Sequence, residues 1–208
     1  MEERAASNLE LVGGRLCLDF TNTVSTRSKA LRRDYLDSYA ELVVWGRHVG
    51  ILGDDEAQAL RERAHRHPAA AMAAHEHAIG LRETIYRIFS AIAGGQEAEE
   101  ADLDSLNCML RTALSRLEVA RSADRFEWSW VLDDDDLSHI LWPIVRSAAE
   151  LLTSESLGRV RHCARDGCDW LFVDSSKNSS RRWCSMSMCG SRVKARHYYQ
   201  RKRRGNGD

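Results

Sequence analysis

The chain has 208 residues, 43% of them hydrophobic and 29% charged, with only two prolines and 13 glycines. That mixture is globular, and it excludes a disordered, collagen-like or linker-dominated protein. The net charge of −1 conceals two opposed parts: residues 159–208 carry 13 Lys/Arg against four acids (+9), and residues 1–158 carry 17 Lys/Arg against 27 acids (−10). The implied layout is an acidic body with a basic module suited to a polyanion. No apolar run approaches the roughly 18 residues that span a bilayer. The opening MEERAASNLELVGG also lacks the basic start and apolar stretch of a signal peptide, so the expectation is a soluble cytoplasmic protein.

In chain order, residues 15–21 (RLCLDFT) alternate Leu16, Leu18 and Phe20 with Cys17 and Asp19, which predicts a half-buried strand. Asp34 is the expected N-cap of a helix reaching about Val49 and ended by Gly50. Asp54 caps a second helix to about Arg66, where Pro68 interrupts. Leu81, Ile85, Ile88, Phe89 and Ile92 share one helical stripe that Gly94-Gly95 stops. Leu103, Leu106, Leu110, Ala113, Leu114 and Leu117 form another. Leu117 and Val119, a turn at Ser122-Ala123-Asp124, and alternating Phe126, Trp128 and Trp130 predict a hairpin. One small sheet is expected to hold this hairpin and the first strand. A last helix joins Leu137, Ile140, Leu141, Ile144, Ala148, Leu151 and Leu152, with Pro143 either kinking it or marking its first turn. The fold class is α+β, mostly helical. An N-terminal helical domain with a small antiparallel sheet (1–155) precedes a small C-terminal cysteine-rich domain (156–208).

Four of six cysteines crowd into Cys163-x4-Cys168-x15-Cys184-x4-Cys189. Two close pairs about fifteen residues apart match a four-thiolate zinc site, in which the ion ties together a unit too small to fold unaided. The alternative is two disulfides or four buried thiols. A closed set of four thiolates leaves no open position for water, so zinc here is structural. His162 and His197 are near in sequence but are not needed as ligands. Cys17 and Cys108 read as buried structural thiols.

The segment CARDGCDWLFVDSSKNSSRRWCSMSMCGSRVKAR resembles the zinc finger named for its Cys-Gly-Asn-Arg (CGNR) motif. The resemblance rests on WLFVD after the second cysteine, SRRWCSM at the third and Cys189-Gly190-Ser191-Arg192 at the fourth. The N-terminal GGRLCLDFTNT resembles the opening of the ABATE domain that commonly precedes this finger. The resemblance implies a stress-induced transcriptional regulator whose finger binds DNA. It departs at Ser191, which stands where the motif has asparagine; serine retains a capping hydroxyl but lacks an amide that both donates and accepts.

Beyond Cys189, GSRVKARHYYQRKRR predicts a basic helix from about Arg192 to Arg203. Arg192, Lys194 and Arg196, with Arg181 and Arg182 beside Cys184, are the candidate phosphate or base contacts. Tyr198 and Tyr199 could stack on bases or pack on the neighbouring domain. In the body, Asp19, Thr21, Asn22 and Thr23 follow the first predicted strand. The family resemblance makes them candidate lining for a small ligand, whereas ordinary backbone hydrogen bonding at a turn explains them equally. Arg27, Lys29, Arg32 and Arg33 read as a solvated basic loop, and His65, His67, His75 and His77 as exposed helical residues. The acids Asp133 to Asp136 suit a helix N-terminus. Trp128, Trp130 and Trp142 read as core or an interdomain contact. No nucleophile elbow or phosphate-binding glycine loop is present, so no enzyme is expected. Expected partners are DNA, a small ligand of the N-terminal domain and a second copy of the chain, with no membrane. The rival functions are a protein-interaction finger and a small-metabolite enzyme in the N-terminal domain.

Overall fold

A computed structural model describes residues 4–27, 32–133 and 136–205; in the last helix the side chains at 197, 199–201 and 203–205 lie outside the description. Expectations for Lys29, Asp134, Asp135, His197, Tyr199, Arg201, Arg203 and Arg204 therefore fall on parts not described. The elements are α1 (Leu16–Thr21), α2 (Tyr39–His48), α3 (Asp54–Arg66), α4 (Pro68–Ala93), α5 (Glu100–Leu114), β1 (Leu117–Ser122), β2 (Arg125–Trp130), α6 (Trp142–Leu152), β3 (Val160–His162), β4 (Leu171–Val173) and α7 (Ser191–Gly205). Among the described residues the protein is mostly helical, with two separate two-stranded antiparallel sheets, β1–β2 and β3–β4. Among the described residues no helix is long and apolar enough to cross a membrane.

Local signals explain most boundaries. Ser38 accepts a hydrogen bond from the Glu41 amide and starts α2, and Asp54, Asp55 and Glu56 occupy the first turn of α3. Pro68 opens α4, and Pro143 lies in the first turn of α6, where a missing N–H costs nothing. The hairpin pairs Val119 with Trp128 and Leu117 with Trp130 across a tight turn.

Four expectations are corrected. Residues 16–21 are a helix: Cys17, Leu18, Phe20 and Thr21 are all buried, so the segment is enclosed rather than half-exposed. It therefore adds no strand to the hairpin sheet. Asp34 does not cap α2, because both its oxygens take the guanidinium of Arg82, at 2.7 and 2.6 Å. Cys108 is exposed rather than buried. Trp128 is 58% exposed, whereas Trp130 packs on Trp142 with 5.6 Å between ring centroids.

The main core runs from α1 through α6 and continues into Val160, Leu171 and Val173 of the second sheet. A smaller cluster joins the four clustered cysteines with Trp170, Phe172 and Met188. The strand β4 thus serves both: Leu171 and Val173 face the body, and Phe172 faces the cysteines.

Candidate metal centre and nucleic-acid interface

Short turns bring the four cysteines together. The amide of Cys163 donates to the Trp170 carbonyl at 2.9 Å, and Cys168 closes its turn on the Arg165 carbonyl at 3.0 Å. On the other side, Ser185 starts a single wide helical turn, Met186–Gly190, and its carbonyl accepts from both Cys189 and Gly190. The Ser191 hydroxyl donates to the Met186 carbonyl at 3.0 Å, tying α7 to the metal-binding turn. This serine works as a backward brace.

The sulfurs of Cys163, Cys168, Cys184 and Cys189 lie within 4.8 Å of one another and all four residues are buried. Cys168–Cys184 and Cys168–Cys189 are 3.8 Å apart and Cys184–Cys189 is 3.4 Å. A tetrahedron with metal–sulfur bonds of about 2.3 Å needs sulfurs about 3.8 Å apart, so the set fits zinc. It does not fit disulfides, whose bonds are about 2 Å, and none of the four cysteines is in one. Four adjacent sulfurs cannot all carry charge unaided: hydrogen bonds from Cys168, Cys184 and Cys189 hold Cys163 below the ordinary thiol range, while Cys163, Cys168 and Cys189 push Cys184 above it. A divalent cation would let all four ionise and would cross-link the two turns. Arg165 Nε donates to Cys189 Sγ at 3.1 Å, a charge-assisted contact that steadies a ligand from outside the set. His162 turns away to Ser90.

Beside this centre lies a cleft of about 600 Å³ lined by Arg165, Asp166, Arg182, Trp183, Arg192, Lys194 and Arg196, among others. The first turns of α7 supply Arg192, Lys194 and Arg196, all exposed. Arg196 pairs with Asp166 at 3.2 Å, a solvent-screened contact between two exposed side chains. Arg165 was not among the sequence candidates; its position between the first two cysteines was the available signal.

Arg181 departs from the expectation. Its guanidinium stacks 4.1 Å from the Phe172 ring and donates to the carbonyls of Val12, Val173, Trp183 and Cys184. With those donors engaged inward, it clamps the finger to the N-terminal segment rather than facing a ligand.

The polar quartet Asp19, Thr21, Asn22 and Thr23, in the second half of α1 and just beyond it, occupies the same joint. Asn22, 2% exposed, both donates to the Leu171 carbonyl and accepts from the Leu171 amide, each at 2.9 Å. Thr21 and Thr23 donate to the carbonyls of Leu18 and Phe20. Asp19 accepts from the Gly13 amide at 2.7 Å, and burial pushes its carboxyl up to about 6 despite help from the Gly13 and Val12 amides, Arg181 and His48. Further contacts complete the joint: Trp170 Nε1 donates to the Val24 carbonyl at 2.7 Å, Val173 N to the Gly13 carbonyl at 2.8 Å, and Thr26 to Asp169 at 2.9 Å. Arg27 is not a solvated loop residue: it pairs with Glu83 at 2.9 Å and lies over the Tyr86 ring.

Comparison with known families matches residues 14–155 to the ABATE model, described as "Putative stress-induced transcription regulator". The chain belongs to the ABATE family. Residues 159–202 match the CGNR zinc finger, whose metal-binding turn is the four-cysteine centre described above. Neither is an enzyme family. A comparison with curated proteins returned no match. In this ABATE protein the finger adjoins the body through buried hydrogen bonds rather than a linker.

Proposed function

We propose that this protein is a DNA-binding transcription regulator in which residues 156–208 grip the phosphate backbone and residues 1–155 form the regulatory body. The observation that carries the reading is the cleft where Arg165, Arg182, Arg192, Lys194 and Arg196 surround Trp183 beside the thiolate centre. Zinc fixes the turns from which these cations project, so the positive charge is held in place before DNA arrives. The body's part in regulation acts through the joint: a ligand that moves segment 12–27 moves the finger, because Val12, Gly13, Asn22 and Val24 all bond to it.

The test is duplex-DNA titration by fluorescence anisotropy at several salt concentrations. Neutralising about five phosphates gives a log–log salt slope between −4 and −5. Arg192→Glu with Lys194→Glu should flatten the slope and weaken binding with zinc content unchanged, and Cys184→Ser should abolish binding. Salt-independent binding that survives both charge reversals would make the finger a protein-interaction module.

A further inference from the structure

Helices α4 and α5 pack together, and a cleft of about 470 Å³ runs along their joint surface. Gly80, Leu81 and Met109 supply its apolar lining. Gly80 is unusual. It lies midway along the 26 residues of α4, where glycine is the costliest residue short of proline. A glycine there ordinarily has a packing or a functional reason. Packing does not supply one, since a Cβ at Gly80 would meet nothing within 4 Å. What the missing side chain leaves open is the cleft.

Charge decides the occupant. Arg87 donates through Nε to both Asp102 oxygens, at 3.0 and 2.9 Å, so its charge is matched within the protein. Glu83 is matched as well, by Arg27 Nε at 2.9 Å and Arg82 Nε at 3.2 Å. Glu76 also lines the cleft; it is exposed and forms no ion pair among the described residues. The surrounding body, with 17 Lys/Arg against 27 acids in residues 1–158, draws cations to this surface.

We propose that the cleft binds a small organic cation, an amine on an aromatic or aliphatic body, with its apolar part over Gly80, Leu81 and Met109 and its ammonium group toward Glu76. The volume falls within the roughly 300–1,000 Å³ of ligand pockets, and the lining follows their pattern of an apolar wall with a few polar groups. An anion would have to displace Asp102 from Arg87. The site also reaches the finger. Glu83 holds Arg27, whose guanidinium lies over the Tyr86 ring and whose backbone amide donates to Asp169. A ligand that shifts Glu83 therefore acts on the segment that binds the finger; this coupling rests on the regulatory reading above.

Isothermal titration calorimetry of the zinc-loaded full chain, without DNA, tests the site with 1-naphthylmethylamine as probe and 1-naphthylacetate as its acidic counterpart. The amine should bind saturably, and the acid about tenfold or more weakly. Glu76→Gln should weaken the amine about threefold to fivefold. Gly80→Leu, whose side chain fills the cleft, should abolish saturable binding, with circular dichroism and zinc content unchanged in both variants. If Gly80→Leu disturbs the fold, the exposed Glu76→Gln carries the test. No saturable amine binding at millimolar probe, equal binding of the acid, or undiminished binding to the variants overturns the proposal. Amide exchange at Arg27 and Leu171 should change when the amine saturates the cleft, and unchanged exchange overturns the coupling. None of these measurements contains DNA, so their failure is distinct from failure of the DNA-binding reading.

Discussion

Asp19 is a carboxyl whose environment opposes its charge: burial lifts it to about 6, above the ordinary ~3.9. A raised folded-state value means the native protein holds the proton more tightly than the unfolded chain. Its contribution is therefore full below about pH 4 and is lost as pH rises to about 6. Asp19→Asn keeps an acceptor for Gly13 N but cannot ionise, so the variant should gain stability relative to wild type between those limits. Urea unfolding at pH 4 and pH 7 measures that difference. Asp34 behaves oppositely: burial works against its charge, but the bidentate Arg82 contact outweighs it and holds the carboxyl below its usual range. Its contribution is present above the unfolded value and is lost at lower pH. The sequence marked Asp19, Thr21, Asn22 and Thr23 as a polar group. Their joint role was not legible because the partner of Asn22 lies 149 residues away.

At the scale of elements, α1 shows why a short apolar alternation misleads. Leu16, Leu18 and Phe20 satisfy a period of two, but six residues of which four are buried carry too short a periodic signal to separate strand from helix. Contacts with α4, α6 and β4 decide in favour of helix. Gly13 enters this turn so closely that a Cβ there would lie 2.8 Å from the Asp19 nitrogen and from Leu18 Cβ. Gly13→Ala should therefore displace the start of α1 and lower the melting temperature with zinc still bound; an unchanged melt would show that the turn can yield. Asn22→Ala leaves the buried amide and carbonyl of Leu171 unpaired, at a cost of about 2–4 kcal/mol. Denaturant unfolding and faster hydrogen exchange at Leu171 check it.

For the whole molecule, body and finger share a core: Val160, Leu171 and Val173 pack with the helices while Phe172 packs with the cysteines on the same two strands. Metal removal should then reach beyond the finger. Chelation at neutral pH is expected to lower the melting temperature of the helical body, and an isolated 1–155 fragment should melt lower than the full chain. Circular dichroism on both reads the effect; equal melts would show two independently folding units.

Read alone, the sequence determined the end of α3 near Arg66, the Gly94-Gly95 stop of α4, the hairpin, the cysteine quartet and the basic helix. Each of these is written in residues within about two dozen positions of one another, where spacing and side-chain type suffice. Tertiary structure alone decided that Arg181 turns inward while Arg165 and Arg182 face the cleft, that α1 is helical, and that Asn22 binds the finger. Those outcomes depend on which distant backbone groups need partners once the core closes, and local spacing carries no record of that.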